Sequence, residues 1–183
     1  MPPKQRITRE MILETSFEMF CREGMEVVNA RSVAKALNCS TQPIFSYYAG
    51  MDDLKTALEN KARELFESDI AVAIASESPL FNGCMAYYRF ALNQPNLFRQ
   101  MFLHKMENCP DNLKAINDAL RANVVEPLSK KMGIDAAQAE AQCIKLWVYT
   151  HGVAVLVAMG LIDLNEEAVT QMLREVERNY TLS

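Results

Sequence analysis

The sequence predicts an all-α protein of about nine helices, with a small three-helix domain over residues 1–50 and a larger helical domain over residues 51–183. Two observations carry this. Apolar residues recur at i, i+3, i+4 along almost the whole chain, and each run opens on a capping residue or closes on Gly or Pro. Composition agrees: 6 Gly and 7 Pro against 11 Met leave few sharp turns, and 50% hydrophobic with 23% charged residues describes a globular chain. There is no internal repeat and no low-complexity segment.

Thr8 is placed to cap a first helix that Gly24 stops after Glu23, with Glu10 near its positive end and Ile12, Ser16, Met19 and Phe20 on one face. Asn29 caps a second helix carrying Val33, Ala34 and Leu37 and ending near Asn38. Ser40 reads as the next cap, Pro43 falls in the first turn where its missing N–H costs little, and Ile44, Tyr47 and Tyr48 follow at helical spacing. Ala49-Gly50 breaks the pattern before a long helix over 52–75. Its buried stripe is Leu54, Leu58, Ala62, Leu65, Phe66 and Ile70, with Lys55, Glu59, Lys61, Arg63 and Glu67 solvated.

Residues 76–79 form a turn, and 81–93 carries Phe81, Met85, Tyr88 and Leu92 at helical spacing until Pro95. A short helix over 97–104, a break at 108–111 and a helix over 113–132, kinked at Pro127 and closed by Gly133, come next. The helix over 136–160 has no polar residue from Gly152 to Ile162. A membrane span needs about twenty apolar residues, and Lys145 and His151 stand just ahead of this shorter run, so burial in protein is expected. One small domain rarely surrounds a helix on every side. Part of this surface, with a last helix over 166–180, is therefore expected to meet a second copy of the chain in a homodimer.

The turn at Asn38-Cys39 is so short that the flanking helices must cross steeply, as in a helix-turn-helix. The second of them presents Thr41, Gln42, Pro43, Phe45 and Tyr47 outward. Gln pairs with adenine, Thr and Pro pack on a thymine methyl, and a Tyr hydroxyl reaches phosphate, so double-stranded DNA is the expected partner. The same pattern also fits a helical hairpin with aromatic residues and no DNA role. Net charge is −4, yet residues 1–50 hold six Lys/Arg against five Asp/Glu, and Lys4, Arg6 and Arg9 precede any acid. That front segment reads equally as a phosphate-binding arm or as a solvated terminus.

Residues 12–58 resemble the DNA-binding domain of the tetracycline-repressor (TetR) family of bacterial transcription factors. The resemblance rests on Ile12 and Phe20, Gly24, Val33-Ala34, the run from Ser40 to Tyr48, and Leu54. It implies that the third helix enters the major groove, with Asn29, Arg31 and Lys55 joining Thr41, Gln42, Pro43, Phe45 and Tyr47 at the DNA. The family often has a phosphate-binding Lys where this chain has Met51, and Lys55, one turn on, is the replacement. Over 85–155, the run from Tyr88 to Leu92, Gln94 to Phe98, Trp147 and His151-Gly152 resemble the ligand-binding domain of the W-x-x-x-H-G subgroup. Phe66, Tyr88, Phe98, Met101, Phe102, Trp147 and His151 then line an effector pocket or belong to the core, and core is favoured for any one of them.

Other chemistry finds little support. Cys21, Cys39, Cys84, Cys109 and Cys143 are scattered, without C-x-x-C or a His cluster, so most are read as buried thiols and no metal or cofactor is expected. Asn38-Cys39-Ser40 fits a glycosylation sequon, but MPPKQR lacks a signal-peptide core, and a cytoplasmic protein is expected. His104 and His151 are the only histidines, with no nucleophile elbow, phosphate loop or H-E-x-x-H, so the chain is not read as an enzyme. The resulting expectation is a ligand-responsive repressor on a palindromic operator. The alternative is a ligand- or partner-binding helical protein of the same shape that has lost DNA binding.

Overall fold

The computed structural model describes residues 7–103 and 121–181. Among them lie nine α-helices and no strand: α1 Arg9–Glu23, α2 Ala30–Ala36, α3 Gln42–Tyr47, α4 Met51–Ile74, α5 Pro79–Asn93, α6 Pro95–Phe102, α7 Glu126–Met132, α8 Ala136–Ala158 and α9 Glu166–Thr181. They divide into two compact units, Met1–Leu65 with Asn96–Leu103 and Phe66–Pro95 with His104–Ser183. The expected break at 108–111, the start of the helix from 113, and residues Lys4, Arg6, His104 and Cys109 lie outside the described residues.

In the first unit the capping chemistry sets the helix ends. Thr8 accepts from the Met11 N–H and Gly24 donates to the Phe20 carbonyl, so α1 runs over the expected span. Asn29 Oδ1 accepts from the Arg31 and Ser32 N–H groups while Ser32 Oγ accepts from the Asn29 N–H, a reciprocal box at the start of α2. The helix ends in a Schellman turn: Cys39 donates to the Ala34 carbonyl, Asn38 to Lys35, and Asn38 sits left-handed at φ 50°. Asn tolerates that conformation better than most residues.

The expected cap at Ser40 is not observed. The residue preceding α3 is Thr41, already in helical geometry and making no side-chain cap bond. Ile12, Ser16, Phe20, Val33, Ala34, Ile44, Tyr48, Leu54, Leu58 and Ala62 are buried. Each large apolar member contributes about 1.5–3 kcal/mol. Leu65, expected in the buried stripe of the long helix, is instead 38% exposed. Leu65 and Phe66 follow Ala62 by three and four positions, so once Ala62 and Phe66 take the inward line Leu65 falls at its edge.

In the second unit Cys84, Met85, Tyr88, Leu146, Val153, Val169 and Leu173 form the core of α5, α8 and α9, with Phe81, Tyr149, Val157, Leu164 and Met172 packed around it. The kink expected at Pro127 takes a definite form, a π turn over Arg121–Val125 immediately before α7. Proline lacks an N–H and its ring collides with the carbonyl four residues back, which a wider turn relieves. Gly133, left-handed at φ 66°, then closes α7, and Asp135 with Gln138 opens α8 by a second capping box.

Replacing Asn29 with Ala should cost about 1 kcal/mol, because two N–H groups of α2 lose their acceptor. Urea unfolding would measure it, and a midpoint equal to that of the parent chain would contradict the capping role.

Candidate functional site

α3 is only six residues long, and its placement follows from which of them are buried. Ile44 and Tyr48 point inward; Gln42, Phe45, Ser46 and Tyr47 are exposed, with Phe45 52% accessible, and Thr41 and Pro43 are half-buried. Gln42 and the Phe45 ring are therefore both accessible from solvent on one short helix. Ser46 Oγ donates to the Gln42 carbonyl and is thereby turned back on its own helix.

Not every expected DNA contact is equally free. The Tyr47 hydroxyl donates to the Ile7 carbonyl at 3.3 Å, so reaching a phosphate means exchanging one acceptor for another. The Asn29 amide is committed to the cap and to the Val27 carbonyl, which makes its role structural in this state. Arg31 is exposed on the first turn of α2, and Lys55 is half-buried on the second turn of α4. Arg9 begins α1, with its guanidinium 5.0 Å from the centre of the Tyr48 ring, and so belongs to the folded unit. Burial, partly offset by Arg9, pushes the Tyr48 phenol above its usual range.

The second unit gathers an aromatic and polar constellation. Tyr87 Oη and His151 Nδ1 lie 2.8 Å apart, Trp147 stacks on the His151 ring at 5.3 Å and 23°, and Phe66 meets the edges of Tyr87 and Phe90. Desolvation lowers the His151 pKa below 6.5 and holds the Tyr87 phenol well above its ordinary value, so both are neutral at pH 7. Trp147 is 46% exposed. Of the seven expected pocket residues the structure groups Phe66, Trp147 and His151 here. Tyr88 is buried, and its hydroxyl donates to the Leu164 carbonyl. Phe98, Met101 and Phe102 belong to the first unit, where the Phe98 and Phe102 rings lie 4.9 Å apart. Tyr87 is missing from the sequence-based set because that set followed the line Phe81, Met85, Tyr88, one position away from the Cys84, Tyr87, Ala91 line. The pairing of the only described His with an aromatic hydroxyl has no local signal.

Thiol chemistry is not favoured at two of the described cysteines: burial raises the Cys21 pKa and pushes Cys143 up to about 11. Among the described residues no group of three His, Cys, Asp or Glu side chains could hold a metal ion.

Comparison with known proteins decides the family. Residues 80–178, more than half of the chain, match the tetracyclin repressor-like C-terminal domain. The chain belongs to the tetracyclin repressor-like (TetR) family. It is 20% identical over 161 residues to an uncharacterised HTH-type transcriptional regulator of Mycobacterium tuberculosis, covering 86% of this chain and 73% of that protein. Its fold is that of a TetR-like transcriptional regulator from Rhodococcus sp. RHA1, at TM-score 0.67 and 18% identity, with 94% and 96% of the two chains covered. A protein of Pseudomonas aeruginosa PAO1 assigned as a transcriptional regulator gives 0.70 at 16% identity, with 97% and 94% covered. Membership of the TetR family makes the chain a DNA-binding, ligand-responsive transcriptional regulator.

The neutral His151 has a measurable signature. An imidazolium stacked on the indole quenches it, so Trp147 emission should fall on acidification with a midpoint below the ordinary imidazole value of 6.5. The unfolded chain takes up this proton first. Stability contributed by neutral His151 is thus full above 6.5 and lost as pH falls through the lower folded value. His151→Gln should abolish the emission step, and a midpoint above 6.5 in the parent chain would contradict the desolvated placement.

Proposed function

We propose that this TetR-family regulator is a cytoplasmic homodimeric repressor, in which two copies of α3 read successive major-groove half-sites of a palindromic operator and a small molecule in the C-terminal domain releases them. The observation that carries the reading is α3 itself, held by Ile44 and Tyr48 and leaving Gln42 and Phe45 in solvent. DNA is met by Thr41, Gln42, Pro43, Phe45 and Tyr47, with Arg31 and Lys55 on flanking phosphates, and the working boundary of the DNA-binding domain falls near residue 50. Asn29 acts through the cap that fixes α2.

Two copies are supported by α8. Ile144, Val148, Leu156 and Met159 form an apolar line on it that is 40–58% exposed in one chain. Such a line is costly in water, and a symmetric copy covers it. By length and composition α8 also passes as a membrane span, but Glu140 and Lys145 lie on it and its other face packs on α5 and α9. The effector site is the Trp147, His151, Tyr87 and Phe66 constellation, in keeping with the W-x-x-x-H-G subgroup. It offers an indole face and one neutral polar pair. Effector binding selects a state whose recognition helices no longer match the groove spacing.

Selecting genomic fragments on the purified chain tests the reading. Recovery of a palindromic sequence shifted by the chain in a salt-dependent manner supports it, and retention of no fragment above background contradicts it. On that operator, Gln42→Ala should relax selection at one position per half-site by about 1–3 kcal/mol. An unchanged base profile would exclude readout by Gln42. Lys55→Ala should reduce the slope of log affinity against log salt by about one unit for each phosphate left unneutralised. An unaltered slope would leave Lys55 merely solvated.

A further inference from the structure

Within the second unit, the C-terminal end of α8 shapes a groove. Leu161 donates its N–H to the Leu156 carbonyl and Gly160 donates to that of Val157, so α8 closes in a Schellman turn with Gly160 left-handed at φ 67°. α5 runs on to Asn93, and the space between its last turn and the chain leaving α8 is lined by Leu92, Val157, Gly160, Leu161, Ile162 and Asp163. Its volume is about 480 Å³, within the range of small-molecule sites. Gly160 helps to keep it open, since nothing lies within 4 Å of the place a Cβ would take.

The lining is apolar except at one point. Val157 and Ile162 are half-buried, while Leu92 and Leu161 stay 39% and 64% exposed, an apolar surface whose removal from water is favourable. Asp163 is exposed, and among the described residues no cation pairs with its carboxylate. Arg89, one turn before Leu92 on α5, is already taken: its Nε donates to Glu166 Oε1 at 3.0 Å and its Nη2 to Oε2 at 2.8 Å. Tyr88 donates to the Leu164 carbonyl, and burial, reinforced by Glu166 and Asp163, pushes its phenol above the usual range. The uncompensated charge at this groove is therefore negative.

Six lining residues are far fewer than the roughly 20–30 a side of a stable protein interface, so the occupant that fits is a small molecule. The groove shares no residue with the Trp147, His151, Tyr87 and Phe66 constellation, and Val157 stands about 9 Å beyond His151 along α8. We propose that this groove is a second small-molecule site and that it takes a lipophilic ammonium, with an alkyl body over Leu92, Val157 and Ile162 and a protonated amine on the Asp163 carboxylate. The site stands independently of the DNA-binding and effector readings above.

n-Octylammonium, n-octanol and n-octanoate, matched in chain length, test it on the full chain with Leu, Val and Ile methyl groups labelled for NMR. Octylammonium should shift the Leu92, Val157, Leu161 and Ile162 signals saturably. It should bind about fivefold more tightly than octanol, as an exposed ion pair at the upper end of its range gives, and octanoate should bind most weakly. Asp163→Asn should remove the preference for octylammonium while leaving octanol affinity unchanged, whereas Leu92→Gln should weaken both probes alike. Added salt should weaken octylammonium alone.

Equal affinity for the three probes would overturn the proposal, as would an unaltered preference in Asp163→Asn. Shifts confined to Leu146 and Val148, which flank Trp147, would place the probe at the aromatic constellation and overturn it too. Leu92 and Ile162 signals that move on dilution of the free chain, and not with octylammonium, would assign the groove to a second copy instead. The probe series on the parent chain decides the matter even if a variant does not fold.

Discussion

A helix of six residues cannot hold itself together. At about 1.5 Å per residue α3 is less than two turns long, well below the length at which an isolated helix is stable in water. Thr41 supplies no side-chain cap bond either. Its conformation is imposed from outside by the burial of Ile44 and Tyr48, by the Schellman turn that fixes its approach from α2, and by the Arg9 guanidinium lying over the Tyr48 ring. The side chains proposed to read sequence inherit their rigidity from these contacts. Gln42 and Phe45 face solvent because Ile44 and Tyr48 do not.

The second unit works under a different constraint. α8 is apolar around most of its circumference, and α5 and α9 pack on the side bearing Leu146, Tyr149, Val153 and Val157. Ile144, Val148 and Leu156 on the helix, and Met159 just after it, stay 40–58% exposed. α9, by contrast, buries Val169 and Leu173 and exposes charged and polar residues such as Arg174, Glu175 and Gln171. A bidentate contact of Arg89 with Glu166 adds a half-exposed tie between α5 and α9, of the kind worth less than about 1 kcal/mol. Packing rather than ion pairing holds this unit.

Elements whose signals are local were legible in the sequence. Thr8, Asn29 and Gly24 mark helix ends because their chemistry acts within three or four residues, and α1 and α2 fall where these residues put them. The Ser40 cap failed because the Schellman turn carries the chain into helical geometry one residue later, and a cap is a matter of backbone angles as much as residue type. Leu65 sits at the edge of its stripe, where period alone does not decide burial. The contacts that periodicity misses are long-range: Tyr47 to Ile7, Tyr87 to His151, Asn96 to Cys21. Each pairs residues at least forty positions apart, and no window of sequence contains both.

In the proposed dimer, two copies of α3 reach the same face of DNA one helical turn apart. Hydroxyl-radical footprinting of the purified chain on its selected operator measures this directly. Two protected patches on one face of the duplex, related by a dyad and centred about 34–36 Å apart, are the expected result. A single protected patch, or protection without dyad symmetry, would contradict the account.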